Sequence, residues 1–199
     1  MKAIAKQSLF LLLLATLVSC GNAGNPVEPQ IITFNYAIMT VPDVTAFVDT
    51  VKSGLTTVSS LLANGPCNFS ASFAGNAEPS VSVSGTPGQN GFNINAASVT
   101  PVSLTTTNPP NCPALAEYEI GIGGRSSAVA VGALTDIVNG KFSFADGQKF
   151  ETSPFAQAKV IGHNAATARA TGEFRFVNRL TSAATETVLV VEGSFALND

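Results

Sequence analysis

The chain holds a single histidine, His163, in the stretch VIGHNAAT. Any Ser–His–Asp hydrolysis would have to run through it, with Asp136 or Asp146 as the orienting acid and one of many serines as nucleophile. No Gly-x-Ser-x-Gly elbow exists to present such a serine. Gly162 and Asn164 flank the imidazole and are turn formers, so the sequence predicts a turn residue. A zinc site takes three or four His, Cys or carboxylate ligands. One histidine without clustered carboxylates does not supply them, so neither a metal nor another cofactor is expected.

Glu117 and Glu119, in AEYEIGI, sit two apart. At about 3.3 Å per residue they lie about 7 Å apart on one strand face, a spacing that paired-carboxylate glycoside hydrolysis could use. Their alternation with Tyr118 and Ile120 instead makes them the solvent face of a half-buried strand. GIGGRSSAVAVGA is rich in glycine but lacks the Gly-Lys-Ser/Thr of a phosphate loop. Small residues in a strand approached by another element account for it, and Arg125 within it reads as a loop arginine. Sugar platforms would need exposed Trp or Tyr. The chain has no Trp, and Tyr36 and Tyr118 fall on apolar faces, while its 13 Phe read as core.

The three cysteines, Cys20, Cys67 and Cys112, carry more information. Lys2 and Lys6 precede an apolar run from Leu9 to Leu14, extended by Ala15 to Val18. That run is about ten residues, and a membrane-spanning helix needs about 20, so it reads as a signal peptide. Its end, Leu17-Val18-Ser19-Cys20, resembles the bacterial lipobox. The resemblance covers about the first twenty residues. It implies removal of residues 1–19, acylation of Cys20, and a lipid-anchored protein of the cell envelope. Gly21, where Asp would retain a lipoprotein in the inner membrane, implies the outer membrane. Cleavage after Ala23, giving a soluble secreted protein, is the alternative. Cys67 and Cys112 then remain as an even pair in an exported chain, which suggests one disulfide. Closing a loop of about 46 residues is worth roughly 4 kcal/mol on the chain-entropy model.

Cleavage before Cys20 leaves 180 residues, enough for one domain, with 8 basic and 13 acidic side chains and a net charge of −5. That balance offers no electrostatic footprint for nucleic acid and no polybasic patch for anionic lipid. Ser, Thr, Asn, Gly and Ala dress the surface instead, in the style of an exported β-protein.

The elements follow from periodicity. Residues 20–30, with two prolines, read as a flexible tether. In IITFNYAI (31–38), Ile32, Phe34, Tyr36 and Ile38 alternate with Ile31, Thr33 and Asn35. A helix is expected over about 42–64, with Val44, Phe47, Val48, Val51, Leu55, Val58, Leu61 and Leu62 on one stripe that packs on a sheet. From Cys67 on, the chain reads as β. Pro101 marks an edge strand. Asn139-Gly140 and Asp146-Gly147 are hairpin signals, and NRLTSAATE (178–186) is expected to be an exposed loop. GKFSF (140–144), GEFRF (172–176) and GSFAL (193–197) share a Gly-x-Phe-x-apolar pattern, expected on neighbouring strands that feed one aromatic core. The fold expected is mainly β: an antiparallel sandwich or flattened barrel of about 8–10 strands over residues 31–199, with one amphipathic helix packed on it. The leading function is a non-enzymatic, lipid-anchored interaction or structural module. A lipocalin-like carrier of an apolar molecule stands second, and a carboxylate-based hydrolase third.

Overall fold

The computed structural model describes residues 30–54, 56–63, 67–73, 80–98, 112–124, 128–167, 169–180 and 186–197. The signal segment, Cys20, Leu55, Arg125 and the edge strand expected at Pro101 lie outside them.

Ten strands form: β1 (Gln30–Thr40), β2 (Cys67–Phe73), β3 (Ser80–Ser84), β4 (Asn93–Ser98), β5 (Leu115–Gly123), β6 (Leu134–Thr135), β7 (Val138–Phe144), β8 (Lys149–Asn164), β9 (Arg169–Leu180) and β10 (Thr187–Leu197). They pair antiparallel in one sheet, ordered β2-β1-β10-β9-β8-β7-β5-β4-β3, with β6 laid against β8. Strands β7 to β10 run as a meander, and β1 returns to pair with β10. The sheet curls into a half-barrel, as the alternating strands lead one to expect.

Alternation sorts the side chains. β1 buries Ile32, Phe34 and Tyr36 and turns Ile31 and Asn35 outward. In β5, a bulge between Leu115 and Glu117 lets Leu115 and Tyr118 both face inward. The inner face gathers rings from β1, β5, β7, β8, β9 and β10 into one cluster. Phe34 sits at its centre, edge-on to Tyr118 (5.9 Å), Phe142 (5.6 Å) and Phe174 (6.2 Å). Such pairs add about 0.5–1.5 kcal/mol each beyond burial.

The Gly-x-Phe segments lie on β7, β9 and β10, and their Phe142, Phe144, Phe174, Phe176, Phe195 and Leu197 all join this cluster. Their glycines serve it too. Gly193 faces Phe34 on one side and Phe174 on the other, and a Cβ there would strike both rings' side chains. Gly172 faces Phe195 in the same way. Each glycine leaves the space that a neighbouring strand's aromatic fills.

A second core lies on the outer face. Val177, Val188, Val190 and Phe155 project outward and are covered by Val44, Val48, Val51, Val58 and Leu62. The stripe packs on the sheet, but on two helices rather than the single one expected over 42–64. α1 spans Val44–Lys52 and α2 spans Val58–Leu61. Ser53 caps the first, and Gly54, at φ +75°, ends it. Thr57 opens the second with a reciprocal box to Ser60. Residues of both helices pack on the same outer core.

Three further boundaries differ from expectation. Gln30 is buried and begins β1, so it does not belong to the tether. Asn139-Gly140 lies inside β7, where Gly140 makes room for Phe142 and Phe176. Asp146-Gly147 does form the β7–β8 turn, with Gly147 at φ +88°. The supposed loop at 178–186 gives up its first three residues to β9, and Asn178 is fully buried.

Candidate functional site

Cys67 opens β2 at one sheet edge, and Cys112 stands three residues before β5. They form a disulfide with their Cα atoms 5.7 Å apart. The Tyr36 hydroxyl, beside Cys67 in register, donates to the Pro113 carbonyl at 2.7 Å. Together these two links draw β2 and the approach to β5 together at one rim of the half-barrel. Burial pushes the Tyr36 phenol up to about 12 and raises that of Tyr118 as well.

The candidate carboxylates are on the outer face. Glu119 meets Lys141 across the strands at 2.9 Å, and Glu117 accepts from the Ser143 hydroxyl at 3.3 Å. The hydrogen bond from Lys141 to Glu119, then the carboxylate's charge, raises the lysine's proton affinity. A shallow depression of about 150 Å³ runs over Glu117, Glu119, Lys141, Lys149 and Glu151. Lys141 with Glu119 and Ser143 with Glu117 satisfy one another across a solvated face, as cross-strand pairs do. His163 is in strand β8 rather than in a turn. It is half-buried, with its ring edge-on to Phe92 at 5.7 Å. Asp136 and Asp146 are exposed, and Asp146 accepts from the Gln148 backbone and side chain within its own turn. Neither they nor the glutamates are brought to the imidazole by any ion pair or hydrogen bond among the described residues.

A depression of about 380 Å³ opens where β7 and β8 part. These strands pair only at Phe142–Phe150 and Ser143–Lys149. Bulges on either side of Thr152 then swing β8 away, and Pro154 fits there because a bulged edge does not need its N–H. Asn178 replaces the missing ladder. Its amide donates to the Gly140 carbonyl at 2.6 Å and the Phe150 carbonyl at 3.2 Å, while its Oδ1 pairs with Ser153 at 3.1 Å. Lys52, Asp136 and Gln157 line the open side.

Polar contacts also fasten the helices. The Asp43 carboxylate caps α1 by accepting from the Thr45 and Ala46 amides. Glu186 joins the Arg179 side chain (3.1 Å) to the Val44 amide (3.4 Å), and Ser59 of α2 donates to Glu192 of β10. Sequence reasoning did not single out Asn178, Ser153, Glu186 or Glu192. For Asn178 a signal existed: it continues the inward alternation of Phe174 and Phe176, so a polar group was due at an inward position.

Among the described residues no three His, Cys, Asp or Glu side chains come together as a metal site, and no helix is long and apolar enough to cross a membrane. Comparison with protein-family models, curated proteins and solved structures finds no significant match to this chain.

Proposed function

We propose that this protein is a non-enzymatic, lipid-anchored β-domain of the cell envelope, held in the outer membrane through acylated Cys20 and acting as an interaction or structural module. The observation that carries this reading is the occupation of the half-barrel. Its inner face is filled by packed Phe and Tyr rings, whereas three depressions among the described residues lie over the outer faces of the strands. The candidate carboxylates are spent in pairs with Lys141 and Ser143. The lipid anchor itself rests on the lipobox resemblance at Leu17-Val18-Ser19-Cys20 and on the disulfide, which suits an oxidising compartment.

The test is metabolic labelling with palmitate. The parent should be labelled and found with membranes, and Cys20→Ala should lose both properties. Retained label in Cys20→Ala would refute the anchor. Titration with a fluorescent fatty-acid analogue separates module from carrier, since the module reading expects no saturable binding.

A further inference from the structure

Five large apolar side chains stand exposed among the described residues: Ile31 (36%), Val131 (46%), Leu134 (57%), Ile137 (42%) and Ile161 (56%). They belong to different strands and connections, yet the register brings them to one rim. Ile31 pairs with Ala196, Ala196 with Thr171, and Thr171 with Gly162, forming one row across β1, β10, β9 and β8. Ile161 is the extra residue of the bulge between Val160 and Gly162, the device that re-aims a side chain away from the ladder. The Gly132 amide donates to the Val160 carbonyl at 2.7 Å, which sets Val131 beside this bulge. Leu134 lies opposite Lys159 on β6, and the Ile137 carbonyl receives the Gly123 amide where β5 ends.

The rim is also poor in charge. Its β3–β4 turn, Gly85 to Gly91, and its β8–β9 tip, Asn164 to Thr167, carry no ionisable side chain. Among the described residues Asp136 and Arg169 are charged there, His163 is half-buried at the end of β8, and Lys159 and Glu173 lie a step further in, beside Leu134. The opposite rim holds Asp43, Asp146, Lys149, Glu151, Arg179 and Glu186.

This apolar rim is the end at which β1 begins. Gln30 is the tenth residue after Cys20. A flexible linker of that length spans about 18 Å on average and about 35 Å when fully extended. The 11 residues of β1 measure about 36 Å from that rim to the other. An anchored Cys20 therefore holds the rim of Ile31 close to the bilayer, while the charged rim could reach it only with the tether stretched out.

Resting on the lipid-anchor reading above, we infer that this rim is a membrane-docking surface. Ile161, Val131, Leu134, Ile137 and Ile31 settle into the headgroup layer, and the domain stands with its charged rim and disulfide pointing away. The partner is a lipid surface, recognised by apolar contact and not by charge, as the net acidity of the chain requires.

The chain has no Trp, so a single introduced indole reports its own depth. Full-length lipidated protein carrying Ile161→Trp, and a second form carrying Lys149→Trp on the opposite rim, would be reconstituted into vesicles of phosphatidylethanolamine, phosphatidylglycerol and a brominated phosphatidylcholine. Flotation of the vesicles is scored first. Docking predicts emission at 161 quenched about two-fold or more, as for a side chain in the headgroup and acyl boundary, and emission at 149 unchanged. Floating protein with no quenching at 161, or with equal quenching at both positions, overturns the docking and leaves the anchor standing. Protein that does not float overturns both. Self-association in detergent that is lost in an Ile161→Asp variant, together with unquenched 161, would assign the rim to a second copy of the chain instead.

Discussion

Asn178→Ala removes the side chain that stands in for a missing stretch of ladder. The three hydrogen bonds it makes, to Gly140, Phe150 and Ser153, are all at or inside 3.2 Å. Each is worth about 1 kcal/mol net. The Gly140 carbonyl keeps Ser153 as a donor at 3.2 Å, whereas the Phe150 carbonyl loses its side-chain partner at a fully buried position. A total near 3 kcal/mol follows, or a fall in melting temperature of roughly 5–15 °C for a domain of this size. Urea denaturation followed by far-ultraviolet circular dichroism measures it, with Asn35→Ala on the exposed face of β1 as a control that should stay within about 0.5 kcal/mol. Asn178→Asp sharpens the test. It keeps the volume but sets a carboxylate against two carbonyl oxygens, so it should cost more than alanine at neutral pH and recover part of that cost as acid protonates it. If Asn178→Ala unfolds within about 0.5 kcal/mol of the parent, the divergence of β7 and β8 is held by something other than this amide.

Alkali should act through the buried phenols. The folded state keeps the Tyr36 proton to about 12 against an ordinary value of 10.0, so stability is intact below pH 10. It then falls through the window from 10 to 12 by about 1.4 kcal/mol per pH unit for each such tyrosine. Phenolate absorbance should rise only together with loss of the β signal. Val51→Asp buries an unpaired charge between α1 and the sheet and should lower the melting temperature sharply, with a smaller loss for Phe47→Ala, whose ring is only partly buried. Melting like the parent in both would show that the helices are not packed on the sheet. Replacing Cys67 and Cys112 together by alanine should cost up to roughly 4 kcal/mol, measured by urea titration against the oxidised parent.

The sequence was most readable where one physical rule acted alone. Alternation in β1 and in the Gly-x-Phe strands placed Phe34, Phe174 and Phe195 inside, because a residue on a curled sheet has only two sides to choose from. It was less readable where tertiary packing overruled a local signal. Asn139-Gly140 has turn chemistry, yet both residues are held in β7, because Gly140 is the space that the Phe142 and Phe176 rings require. The helical stripe was visible, but its break at Gly54 was not, because the apolar spacing continues from Val51 to Val58 across it. Asn178 was hidden because its partners are backbone carbonyls on β7 and β8, 38 and 28 residues away. Glu117 and Glu119 were read correctly as a solvent face, and what sequence could not supply was the identity of their partners, Lys141 and Ser143.

The pairing of β1 with β10 bears on how such a chain is delivered. Thr33 and Ser194 touch across that seam though 161 residues separate them. A polypeptide threaded through a membrane from its N-terminus presents β1 first and β10 last. Strands β7 to β10 can zip up as they emerge, but β1 must wait with its Ile32, Phe34 and Tyr36 uncovered until β10 has crossed. The outer core waits too, since the sheet face that receives α1 and α2 includes Val188 and Val190 of that last strand. Under the export proposed above, the sheet therefore cannot close before β10 has crossed, and a chain truncated before β10 would be left as an unfinished sheet on the far side.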